Sequence, residues 1–112
     1  MWINCNILSN NIILHYKLKE FINKTPFLKL SEDEKSNETG QIIFWDIDSV
    51  NKDQEYLTSC MDNGGIVLVI SSFLSDNIIS RNFSGNEITK VGTLTKNMTH
   101  QQFVEAISNL TD

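Results

Sequence analysis

Side chains able to do chemistry stand at the ends of three strand-like runs. Asp46 closes "IIFWD", Ser71 and Ser72 close "IVLVISS", and Lys96 follows "KVGTLT". A second carboxylate, Asp48, lies two positions beyond the first. A carboxylate in such a place can act as a nucleophile, or it can end a strand and accept backbone hydrogen bonds, as turn aspartates commonly do. Taken alone, Asp46 reads as the structural aspartate. Whether it is more depends on the elements that would bring the serines and the lysine to it.

Those elements are legible from periodicity. "INCNIL" is rich in β-formers and stops at the turn-prone Ser9, Asn10 and Asn11. From Ile12 to Lys24 the apolar residues Leu14, Leu18, Phe21 and Ile22 recur at the spacing of a helix docked on a sheet, and Thr25 and Pro26 end it. "FLKL" is a short second strand. "QIIFW" and "IVLVIS" are continuously apolar, as strands covered on both faces must be. Between them Leu57, Cys60 and Met61 form a helical patch that ends at "DNGG", where Gly64 or Gly65 can adopt the left-handed cap. A weak helix is expected over 75–83 and a last strand over "KVGTLT". A final helix opens with Thr99 and Gln102 spaced as a capping box before Phe103, Val104, Ile107 and Leu110. Strands alternating with helices predict an α/β fold: a doubly wound, five-stranded parallel sheet with reactive groups beyond the carboxyl ends of its strands.

Bulk properties narrow the partners. The chain has 112 residues, enough for one core, and is read as a single domain over 1–112. A net charge of -5 argues against direct binding of nucleic acid, which depends on attraction to phosphate. No apolar run approaches the length of a membrane span, and the N-terminus lacks the basic flank of a targeting segment, so the expected setting is cytoplasmic. Cys5 and Cys60 lie in apolar contexts without ligand spacing and read as small buried hydrophobes. His15 and His100 read as surface histidines, Trp2 and Trp45 as packing residues, and "SEDE" as a solvated loop.

A carboxylate, a hydroxyl and a lysine ending the third, fourth and fifth strands together resemble the receiver domain of two-component response regulators. "KLKEFINKTPFLKL" is similar to the first helix and second strand of receivers that precede a LytTR-type DNA-binding domain, and "IIFWDI" is similar to their "LIFLDI". The resemblance implies a flavodoxin-like fold. It sets Asp46 at the phosphoacceptor, Ser72 at the family's Ser/Thr and Lys96 at its lysine, groups that bind or attack a phosphoryl group with Mg²⁺.

Several positions depart from the family. The acidic pair that holds Mg²⁺ is replaced by Ser9 and Asn10, so Mg²⁺ binding is expected to be weak or lost and no cofactor is expected. Thr93 replaces the aromatic switch, Asn97 the proline after the lysine, and Phe73 a small residue, where its bulk is expected to crowd the phosphate site. The stretch from Leu30 to Asp46 is too short for the family's second helix plus the third strand, so that helix is expected to be reduced to an acidic loop or missing. The apolar face thereby uncovered near the second and third strands would be filled by a second copy, as a homodimer, or by a partner protein, unless the neighbouring helices shift to close the gap. The resulting reading is a degenerate receiver without enzymatic activity. It regulates through protein contact, by analogy on the face over 78–110, with a histidine kinase, an output domain outside this chain or another regulator as partner. Two alternatives stay open. One is a working receiver phosphorylated on Asp46. The other is a small phosphatase of haloacid-dehalogenase type, with Asp46 as nucleophile, Asp48 as acid/base, and Ser71 and Lys96 completing the site.

Overall fold

The side chains of a strand alternate between its faces, and in the first strand this separates Ile3, Cys5 and Ile7 from Asn4, Asn6 and Leu8. That division runs through the whole sheet. The computed structural model describes residues 2–31 and 39–111. It contains strands β1 (Ile3–Leu8), β2 (Leu28–Leu30), β3 (Ile42–Asp46), β4 (Ile66–Ser71) and β5 (Val91–Thr95). All pair in parallel, in the order β2-β1-β3-β4-β5. The connecting helices are α1 (Ile12–Asn23), α2 (Gln54–Asp62), α3 (Ile78–Asn82) and α4 (His100–Thr111), with a 3₁₀ turn over Gly85–Lys90 before β5. This is the doubly wound, receiver-like (flavodoxin-like) arrangement expected from the sequence.

Helices α1 and α4 cover one face, where Leu14, Leu18, Ile22, Phe103 and Ile107 pack on Cys5, Ile7, Ile42, Phe44, Leu68 and Leu94. The other face carries Leu8, Ile43, Trp45, Val67, Val69 and Val91 beneath Tyr56, Leu57, Cys60 and Met61 of α2, with Ile78, Ile79 and Phe83 beside them. The short α3 contributes no fully buried residue, which is why its sequence signal was weak. Trp45 is a packing residue, as expected: it is buried, meets Phe83 edge-on and donates its indole N–H to the Val50 carbonyl at 2.9 Å. Trp2 is not, being 63% exposed.

Local chemistry sets the helix ends. Asn11 caps α1 by accepting the Leu14 N–H at 3.1 Å. The capping box of α4 is formed reciprocally, Thr99 N–H to Gln102 Oε1 at 2.9 Å and Gln102 N–H to Thr99 Oγ at 3.2 Å. After α2, Gly64 takes the left-handed conformation at φ 85°. Gly65 has a different role, because a Cβ there would lie 2.7 Å from the carbonyl oxygens of both Cys60 and Gln41.

The acidic run and the expectation of a reduced helix fall mainly on residues 32–38, outside the described residues. Asn4 pairs with the exposed Lys29 on the α2 side of the sheet, and Asn6, next along that side, is buried and donates to the Tyr56 hydroxyl at 2.8 Å. Ile43 of β3 is completely buried. On this side β1 and β2 thus carry the polar residues Asn4, Asn6 and Lys29, with the exposed aromatic residues Trp2 and Phe27 preceding the two strands. The cysteines are buried on opposite faces of the sheet, Cys5 in one core and Cys60 in the other. Burial pushes the Cys5 thiol up to about 12 and raises that of Cys60, so both remain protonated hydrophobes.

The two glycines after α2 give a direct check. Gly65→Ala must push two backbone segments apart and should cost about 1–3 kcal/mol, measured by urea denaturation. Gly64→Ala, with open space but a left-handed backbone, should cost roughly 1–2 kcal/mol.

Candidate functional site

The carboxyl ends of β1, β3, β4 and β5 converge on Asp46. Its strand continues one residue past the last pair, with the Ile47 N–H bonded to Ile70 C=O at 3.1 Å. The chain then turns, both Ser49 and Val50 donating their N–H groups back to the Asp46 carbonyl. The turn leaves the Asp46 side chain pointing inward with 1% of the residue exposed.

Each carboxylate oxygen of Asp46 has two partners. Oδ2 accepts the Ser9 hydroxyl at 2.8 Å and the Ser49 hydroxyl at 2.7 Å. Oδ1 accepts the Asp48 N–H at 3.2 Å and lies 3.3 Å from the Lys96 ammonium. A carboxylate offers about four lone-pair positions, and all are taken. Lys96 also reaches Asp48 Oδ2, at 3.0 Å. Asp48 in turn accepts the Ser72 N–H at 2.9 Å, and its Oδ1 lies 3.0 Å from the Ser71 hydroxyl. The cluster holds two carboxylates and one ammonium, a net charge of about -1.

These contacts also tie the loops together. Ser49 accepts the Asn10 N–H at 2.9 Å, and the Asn10 amide donates to the Ser49 carbonyl at 3.0 Å. Ser9 accepts the Asn11 N–H at 3.0 Å. From α1, Lys17 donates to the Lys96 carbonyl at 2.9 Å. The Asp48 carboxyl is held below its ordinary range, first by the Ser72 N–H, with desolvation opposing and Lys96 and Ser71 assisting. Burial alone would lower the Lys96 pKa, but its contacts with Asp48 and Asp46 outweigh that and hold it raised.

Of the residues singled out in the sequence, Asp46, Ser9 and Lys96 meet in one cluster. Ser72 contributes its backbone N–H; the hydroxyl facing the cluster is that of Ser71. Asn10 bonds Ser49 rather than Asp46. Thr93, on the outer strand, lies outside the cluster. Phe73 does not crowd the site, since its ring is 89% exposed to solvent; the β4 chain turns at Ser71, whose hydroxyl accepts the Phe73 N–H at 3.1 Å. His100 is not a free surface histidine either. It is half-buried, 2.9 Å from the Thr25 hydroxyl and packed against Phe21 and Phe103. Sequence reading passed over Ser49, and a third polar residue in "DIDS" was the signal available. Asp48, an acid/base candidate in the sequence, shares Lys96 with Asp46 and meets the end of β4 through Ser71.

No protein-family model matches the chain, and no curated protein matches it. Among solved structures, the signal receiver domain of NarL, a Mycobacterium tuberculosis protein described as a response regulator, superposes with a TM-score of 0.66 at 11% identity, over 96% of this chain and 94% of that one. A de novo designed Rossmann 2x3 fold protein superposes with a TM-score of 0.49 at 18% identity, over 96% of this chain and 87% of the design. The first comparison establishes that the fold of a receiver domain is present.

The ion-paired cluster should be visible in stability. Lys96→Met leaves the buried Asp46 carboxylate without a cation and should cost on the order of 3 kcal/mol at neutral pH; adding Asp46→Asn should recover part of it. Asp48 has a lowered folded pKa. Its contribution is present above the ordinary value of 3.8 and is lost as pH falls through the folded one. Lys96 has a raised folded pKa. Its contribution is present below 10.5 and disappears as pH rises through the folded value. Thermal melts of the parent and Asp48→Asn proteins should therefore differ most near neutrality and converge in acid.

Proposed function

We propose that this chain is a receiver-like regulatory domain that acts through protein contact without phosphoryl transfer to Asp46. The observation that carries this reading is the saturation of the Asp46 carboxylate by Ser9, Ser49, the Asp48 N–H and Lys96. A nucleophilic carboxylate needs a free lone pair and an open approach. Here an incoming phosphoryl group would have to displace a bonded donor from a residue that is 1% exposed.

The donor set does not fit Mg²⁺. That ion takes several hard oxygens and at least one further carboxylate beside the acceptor in a receiver-type site. In this chain the nearby anion is Asp48, which shares Lys96 with Asp46, and the β1–α1 loop offers a serine hydroxyl that is itself donating to Asp46. Metal binding is weak or lost on this reading, and Asp46 serves as an anchor for loops.

A protein partner follows from the fold class and from the net charge of -5, which disfavours nucleic acid. A histidine kinase, an output domain or another regulator is the expected kind of partner, and the reading implies a cytoplasmic setting. The similarity of "KLKEFINKTPFLKL" to receivers preceding LytTR-type domains supports placement in that subgroup.

One observation favours an enzyme instead: Asp48, Ser71 and Lys96 are brought together beside Asp46, as a phosphatase of haloacid-dehalogenase type would require. Against it, Glu105, the described acid that follows Lys96, accepts from Gln101 along α4 rather than joining the cluster.

Titration of the labelled protein with beryllofluoride and Mg²⁺, followed by amide NMR, separates the readings. A contact module should show no saturable change at Asp46, Ser71 or Lys96. A saturable change that Asp46→Asn abolishes would establish a working phosphoacceptor. Turnover of p-nitrophenyl phosphate lost in Asp48→Asn would establish the phosphatase.

A further inference from the structure

β5 is the outer strand of the sheet, paired on one side with β4 and on the other with no strand among the described residues. The direction of its backbone groups follows from the parallel ladder. Lys96 donates its N–H to Ser71 C=O, and Ser71 is in register with Thr95. Residues of a parallel strand alternate in the side to which they turn both backbone groups. Gly92, Leu94 and Lys96 therefore face β4, while Val91, Thr93 and Thr95 turn their N–H and C=O groups outward.

Two of those outward groups are used locally. The Val91 N–H donates to the Ile88 carbonyl, and the Thr95 carbonyl accepts the Met98 N–H at 3.1 Å. The Val91 C=O, both backbone groups of Thr93 and the Thr95 N–H have no protein partner among the described residues. They lie beside a groove of about 290 Å³ whose walls include Leu74, Thr93, Met98, Gln102 and Glu105. Edge strands of this kind are commonly blunted by proline or lysine. Within β5 there is neither.

We propose that the outer edge of β5 is a strand-addition site that takes an extended, basic segment of a partner protein. The proposal deepens the reading of the chain as a contact module and rests on it. Strand addition uses the open donors and acceptors directly, and an extended segment opposite Thr93 can exchange two main-chain hydrogen bonds with it. Charge selects the occupant: Glu105 is the charged residue of the groove wall and the chain carries -5 overall. A lysine-bearing segment is attracted, whereas a second copy of this chain meets like charge. The absence of an aromatic ring at Thr93 keeps the strand edge open to such a segment.

The test uses the whole chain and a short capped peptide of alternating valine and lysine, with a peptide of alternating proline and lysine as control. On binding the first peptide, amide exchange at Thr93 and Thr95 should slow at least roughly tenfold, and the control should leave both unchanged. Thr93→Pro removes an outward donor but no bond to β4, a substitution that edge strands tolerate. It should weaken binding roughly tenfold or more while Gly92, Leu94 and Lys96 amides stay protected. If that variant does not fold, Glu105→Lys supplies the second arm and should weaken the lysine peptide while sparing the fold. Unchanged exchange at Thr93, equal binding of the proline control, or protection that grows with protein concentration alone would each overturn the proposal, the last by assigning the edge to a second copy. A beryllofluoride response with strand addition intact would sink only the reading of Asp46. Peptide failure with an inert Asp46 would sink only the strand-addition site.

Discussion

A carboxylate carried from water into the closed end of a sheet must be met by donors or by a cation, since an unpaired buried charge costs several kcal/mol or more. Asp46 is met by both, and the demand organises the whole carboxyl edge. Ser9 comes from the loop after β1, Ser49 and the Asp48 N–H from the turn after β3, and Lys96 from the loop after β5. Asp48 extends the arrangement to the loop after β4 through Ser71 and the Ser72 N–H. One buried charge thus fixes the relative positions of four connections that have little other regular structure. The same contacts that stabilise the carboxylate occupy its lone-pair positions.

The division of each strand between two cores explains why the sheet tolerates polar residues on one side of β1 and β2. Cys5, Ile7 and Leu28 give β1 and β2 a sound apolar face beneath α1, so those strands stay anchored from one side. On the other side the same strands carry Asn4, Asn6 and Lys29. Asn6 is satisfied by the Tyr56 hydroxyl in a buried setting, where desolvation pushes that phenol up to about 12 with Asn6 opposing. A neutral phenol there is a dependable hydrogen-bond partner over the whole physiological range.

Much of this was legible in the sequence, and the reasons differ by element. β3 and β4 announced themselves because strands buried on both faces must be continuously apolar, and α4 because its capping box and apolar stripe agree. The cluster of Asp46 and Lys96 followed from strand-end placement, a consequence of topology. Three details were not legible. Which of Ser71 and Ser72 turns its hydroxyl inward depends on a one-residue difference in where β4 ends, and a run of two serines carries no such information. Ser49 acts through a turn whose geometry is decided by the buried carboxylate, so its role exists only once the fold has formed. Phe73 was expected to crowd the site on bulk alone, whereas the turn at Ser71 sends its ring into solvent.

The absence of an aromatic ring at Thr93 joins these two halves of the molecule. In a domain that reports a chemical event, a bulky side chain on the outer strand can move between inner and outer positions and so alter the surface. Such a movement needs a second state, supplied by a ligand that binds one arrangement better than the other. On the proposed reading the saturated carboxylate offers no such differential contact at Asp46, and Thr93 has no ring to move. Under the proposed function a fixed cluster and a strand edge without a mobile side chain are consistent with each other: the first would hold the loops at the end of β5 in one arrangement, and the second would present a backbone surface whose affinity does not depend on a switch.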